Sequence, residues 1–181
     1  MAHVKVVRRS MRPEEWTDLR FVWLQRGIYE EKFEITDLEI RDARQISEDQ
    51  YEYYSDEYRP LKKDDMYFTP DGTAFIRGHV QIPAHMKGKN IYFTLHTAAE
   101  MIVKINGKYV GGVDPNRERI LLNPYIDSDD LTIEIEAYNR SKPDDERNPA
   151  SLAHRGCRQI FEGAYLSTIR DNVQSLVYDY I

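Results

Sequence analysis

Five histidines are the first residues to test for chemistry: His3, His79, His85, His96 and His154. A helical zinc site wants two of them four residues apart, as in His-Glu-x-x-His, because that spacing puts both rings on one helix face. No pair here has it. His79 and His85 flank the segment GHVQIP and read better as surface or packed side chains than as joint ligands. Cys157 is the single cysteine, so neither an internal disulfide nor a Cys-based zinc site can form. His154 lies three residues before it, but a reactive thiol needs a setting that stabilises thiolate. Only Arg155 and Arg158 offer that locally, and Cys157 is not taken as a nucleophile. Glycosidase chemistry needs two carboxylates placed across a cleft. Among 31 acidic residues, spacing singles out no such pair. The sequence therefore predicts no catalytic residue and no metal ligand within this chain.

Two further segments invite a functional reading. Gly111-Gly112 lacks the Gly-Lys-Ser/Thr and strand-loop-helix context of a phosphate loop, and reads as a tight turn or bulge. In GGVDPNRER, the short polar groups Asp114 and Asn116 and the guanidinium of Arg117 stand beside a proline turn. Their first expected role is to satisfy loop backbone. Their second is to hydrogen-bond sugar hydroxyls or face an interface, and these three are the candidate site residues. The acids of YEYYSDEYRPLKKDDMYF lack the glycine and terminal Glu of an EF-hand and read as a solvated, irregular connection.

The elements that must position these residues are mostly strands. Pro13–Glu31 reads as a packing helix, with Pro13 at a first helical position and Glu14 and Glu15 at its positive end. FEITDLEIRDARQI, Phe33 to Ile46, alternates imperfectly, as a half-buried strand does. After the Pro70-Asp71-Gly72 turn, strands are predicted over 73–82, 90–97, 100–105, 108–113, 117–122 and 131–139. Pro83–Asn90 is a turn region, and Asn106-Gly107 is a strong hairpin signal because both central residues of a type I′ turn need φ > 0. SKPDDERNPASLAHRG is a polar loop, and Ile160–Ile169 a last strand. Asp171–Tyr180 opens a helix capped by Asp171 or Asn172, with Val173, Leu176, Val177 and Tyr180 as an apolar stripe. That stripe carries no stop signal, and the helix is expected to run on beyond Ile181.

Together these give a mainly β chain. The expected fold is an antiparallel β-sandwich or jelly roll of the galactose-binding-like kind, with an N-terminal helix and a short C-terminal helix. The expected organisation is a helical segment over 1–31, the sandwich over 32–170 and the start of a linker helix over 171–181. The 181 residues suit one sizeable core, with 41% hydrophobic and 31% charged residues. Net charge is −6, and basic residues are scattered apart from Arg8-Arg9, so no nucleic-acid or membrane partner is expected. The N-terminus has no apolar h-region, and a cytoplasmic location is the default expectation. Thirteen tyrosines suit strands and half-wet interfaces.

The stretch EMIVKINGKYVGGVDPNRERILL, followed by LTIEIEAYN, resembles the β-domain that precedes the catalytic barrel in bacterial α-mannosidases of glycoside hydrolase family 38. The matching positions are Val103, Asn106, Gly107, Lys108, Val110, Gly112, Asp114, Asn116 and Arg117, then Ile135, Glu136 and Ala137. TAFIRGHVQIP and IFEGAYLSTIRDNVQSLVYDYI resemble the flanking connections. The family's catalytic domain opens with His-x-His-x-Asp, supplying zinc ligands, and another Asp is its nucleophile. No such motif occurs here, so no catalytic residue carries over. The resemblance implies a non-catalytic domain of a zinc-dependent, retaining α-mannosidase, the zinc belonging to a separate catalytic domain. It would support that domain, border the cleft or help to form a homodimer. A stand-alone carbohydrate-binding module is the other reading.

Overall fold

The computed structural model describes residues 23–25, 27–65, 72–96, 99–114, 117–138 and 161–179. The chain divides into two compact units, one of residues 32–167 and a smaller one of residues 1–31 with 168–181.

The larger unit is a sandwich of antiparallel sheets. One sheet runs β3 (Gln50–Tyr53), β2 (Leu38–Ser47), β5 (Thr73–Gln81), β10 (Asp130–Tyr138), β7 (Glu100–Ile105), β8 (Lys108–Val113), with β4 (Arg59–Pro60) also paired to β2. The other runs β1 (Tyr29–Ile35), β11 (Ala164–Ile169), β6 (Tyr92–Leu95), β9 (Arg119–Leu121). Strand β10 shows why the sheets pair. Its Leu131, Ile133, Ile135 and Ala137 are buried, while Thr132, Glu134, Glu136 and Tyr138 between them are exposed. A period of two puts one set on each face. The buried set joins Ile40, Ile76, Val103 and Ile105 of its own sheet and Phe93, Leu95, Ile120 and Leu166 of the other in one core, as the inner faces of a sandwich do.

The predicted mainly β, antiparallel sandwich is what forms, and several local readings need correction. Phe33 to Ile46 is two strands in different sheets, broken at Thr36-Asp37. Ile35 and Leu38 are both core residues; their spacing of three is the break in alternation that marks the change of sheet. The segment read as an irregular connection contains β3 and β4. Tyr-rich and polar, β3 hides because it is an edge strand exposed at three of four positions. Tyr29–Glu31, placed in the N-terminal helix, belong to β1; only Trp23–Gln25 and Gly27 are helical among the described residues of that segment. Residues 1–22, including Trp16, and the polar loop 141–156 lie outside the described residues.

The Asn106-Gly107 hairpin forms as expected, with φ of 50° and 74°. Asn106 also clasps the start of β10. Its Oδ1 accepts from Thr132 N (2.8 Å) and Thr132 Oγ1 (3.2 Å), and its Nδ2 donates to the Asp130 carbonyl (3.3 Å). Asn106→Ala is expected to cost about 1–3 kcal/mol, from the left-handed backbone and the lost bonds. Asn106→Gly should fall between the two, since it restores only the backbone. Urea midpoints of the three chains check that order.

In the smaller unit, Arg170 ties the described pieces together. Its Nη1 donates to the carbonyls of Gly27 (2.8 Å) and Tyr29 (2.5 Å), and its N–H to that of Ile28 (2.7 Å). Helix α1, Asp171–Asp179, follows at once, with Asp171 in its first turn, where a carboxylate suits the positive helix end. Of the expected apolar stripe, Val177 is buried and Leu176 exposed; Tyr180 lies outside the described residues.

Candidate functional site

Asp114 and Arg117 close a turn against each other. Each backbone N–H donates to the other's carbonyl, at 3.1 and 3.0 Å. Arg117 N also donates to Asp114 Oδ1 (3.1 Å), and Arg117 Nε to Asp114 Oδ2 (3.0 Å). The turn leads from β8 in one sheet to β9 in the other. Asp114 thus serves the loop backbone, the first of its two expected roles, and the exposed ion pair adds little stability. Asn116 lies outside the described residues.

The described histidines do not converge. His79 Nε2 sits 2.5 Å from Asp130 Oδ1 on one strand end, and His85 is in the short 3-10 turn Ala84–Met86. His3, His154 and Cys157 lie outside the described residues. Among the described residues, no three His, Cys, Asp or Glu side chains gather as a metal-holding group.

His96 instead joins a polar chain beside β6. Lys32 Nζ lies 3.1 Å from His96 Nε2, and His96 Nδ1 lies 3.1 Å from Glu118 Oε2. With Lys32 donating to Nε2, the ring proton sits on Nδ1 and is donated to Glu118. The hydrogen bond from His96 holds the Glu118 carboxyl below its ordinary value of 4.5, against the opposing effect of burial. Burial lowers the Lys32 amine, and the nearby Glu118 charge partly restores it. A carboxylate with a lowered folded pKa stabilises the fold above its unfolded value and loses that contribution as pH falls through the folded value. The stability advantage of the native chain over Glu118→Gln is therefore expected to be constant above about pH 5 and to shrink below 4.5. Thermal midpoints across pH 3–7, an interval of about four units around that value, check it.

The most developed surface feature is the outer face of the large sheet. Pair register lines up Glu39 (β2), Arg77 (β5), Glu134 (β10), Lys104 (β7) and Tyr109 (β8) in one row across five strands. Charge alternates along the row and ends on a ring. Arg77 Nη2 pairs with Glu39 at 2.7 Å, its guanidinium lies 4.0 Å from the Tyr58 ring centre, and Lys104 Nζ lies 4.6 Å from that of Tyr109. The next row contains Phe75, Glu136 and Ile102. There the Tyr51 ring meets Phe75 edge-on at 4.9 Å, and Tyr51 Oη donates to Glu136 at 2.5 Å. That bond pushes the Tyr51 hydroxyl up to about 12. These two rows border an open groove of about 570 Å³.

Sequence reasoning passed over this face, though it left a signal. In TAFIRGHV and EMIVKI, Phe75 and Ile102 fall in the polar phase of strands whose other phase is core. An apolar residue out of phase marks a face that is more than solvated surface. Only pairing, which long-range register decides, shows that the two breaks are near neighbours.

No protein-family model matches the sequence. No curated protein matches it. Among solved structures, a calcium-binding mutant of Bacteroides uniformis β-glucuronidase 2 aligns at 20% identity and TM-score 0.45, over 76% of this chain and 18% of that one. Bifidobacterium dentium β-glucuronidase with coumarin-3-O-glucuronide aligns at 14% identity and TM-score 0.46, over 77% and 30%. Faecalibacterium prausnitzii β-glucuronidase aligns at 11% and 0.47, over 76% and 31%. This chain spans less than a third of the length of each of these three enzymes. All three are β-glucuronidases, and another aligned structure is a β-glucuronidase from glycoside hydrolase family 2. The α-mannosidase reading rests on the sequence resemblance alone.

Proposed function

We propose that this chain is a non-catalytic β-sandwich domain of a glycoside hydrolase, and more narrowly the domain that precedes the catalytic domain of a family 38 α-mannosidase. One observation supports this reading most. Three polar residues of the resembling motif are spent on the fold: Asn106 clasps β10, and Asp114 and Arg117 close the turn between the sheets. A motif used in this way describes a scaffold, whose chemistry would be supplied by another domain. On this reading the parent hydrolyses α-mannosides with retention, and its zinc ligands lie downstream.

The coding frame beyond Ile181 tests it. A catalytic domain opening on His-x-His-x-Asp is the expected result. A catalytic domain of another glycosidase family would remove α-mannosidase and keep the accessory role. A frame with no glycosidase domain would remove both.

A further inference from the structure

We infer that the outer face of the large sheet binds a short, neutral oligosaccharide across its strands. The inference goes beyond the accessory-domain reading and does not depend on it.

The first ground is shape. Adjacent strands lie about 4.8 Å apart, so a row crossing five of them spans about 19 Å. That suits several linked sugar rings better than one. The groove of about 570 Å³ is within the usual range of ligand sites, roughly 300–1,000 Å³.

The second ground is surface chemistry. Tyr109 is 67% and Ile102 52% exposed, although both sit on a sheet whose other face supplies a full core. Exposed apolar groups in a concave polar setting mark binding surface. A pyranose ring has a face of C–H groups that packs on an aromatic ring, and an edge of hydroxyls that bond to paired charges. Tyr109 offers the ring. Glu39, Arg77, Glu134 and Lys104 offer acceptors and donors in alternation, two of them already held by the Glu39–Arg77 pair and by the Tyr58 ring under Arg77. Such preorganisation lowers the ordering cost of binding.

The third ground is charge. Four carboxylates, Asp37, Glu39, Glu134 and Glu136, face two cations, Arg77 and Lys104, around the groove. The acidic excess repels uronic acids and phosphates. A neutral polyol meets no such penalty.

Isothermal titration of the full chain with mannotetraose, cellotetraose and xylotetraose, with tetragalacturonate as the anionic comparison, tests the proposal. At least one neutral tetraose is expected to bind with Kd of about 1 mM or tighter, and tetragalacturonate at least tenfold more weakly. Tyr109→Ala and, independently, Glu134→Gln are expected to weaken the neutral binding at least fivefold with unchanged thermal midpoints. Both side chains are exposed, so folding is not at stake. The proposal is overturned if no neutral tetraose binds at 10 mM, a concentration about tenfold above the expected Kd. It is equally overturned if the anionic sugar binds as well, or if neither substitution changes the affinity. None of these results touches the accessory-domain reading, which the downstream frame decides.

Discussion

Gly78→Val is expected to destabilise the chain by roughly 3 kcal/mol or more, as overpacking against backbone does. Gly78 lies in β5 opposite Leu38, at the point where the chain has just crossed from β1 in one sheet to β2 in the other. A Cβ on Gly78 would overlap the carbonyl oxygen of Asp37 and Cδ2 of Leu38. The oxygen cannot swing away, because it belongs to backbone and accepts the His79 N–H at 3.2 Å. Relief would require moving the crossover itself, and with it the start of β2. Gly78→Ala already carries the overlapping atom and should show much of the loss. Urea denaturation measures both. A loss under about 1 kcal/mol for the valine variant would mean that the crossover is not held where it is described.

The second large effect is Phe93→Ala, expected to cost about 3–5 kcal/mol. Phe93 is fully buried, on β6 between Leu166 of β11 and Ile120 of β9. Removing its ring empties the inner face of the four-stranded sheet, whose neighbours are fixed by their own strand pairing and collapse only in part. Phe75 is the informative comparison. It has the same side chain on the opposite kind of surface, half-buried on the outer face against Tyr51 and Tyr53. Phe75→Ala should cost less than half as much. Equal losses would show that the outer face is packed like a core.

The contrast between these two residues also explains what was legible in the sequence. Strands with a strict polar and apolar alternation announced themselves: LTIEIEAY is β10, and Asn106-Gly107 turns β7 into β8. Local chemistry sets both, through the period of two and the need for φ > 0. The passage from β1 to β2 is hidden because the change of sheet shows only as one slip of phase within a stretch that otherwise alternates. Strands β3 and β4 were hidden because they are exposed edges, where burial imposes no pattern. The candidate site followed the same logic. The carboxylate of Asp114 and the guanidinium of Arg117 stand out in the sequence beside a proline turn, and the structure spends both on that turn. The row from Glu39 to Tyr109 is drawn from five strands whose members range from residue 39 to residue 134, and only their register makes it a row.

The proposed function makes this chain a scaffold without its own hydrolytic centre. Its most direct test is an assay of the chain alone with nitrophenyl α-mannoside and nitrophenyl β-glucuronide, each with and without added zinc. No release of nitrophenol above the buffer rate is expected at any protein concentration. Release that rises in proportion to protein and persists through repurification would contradict it.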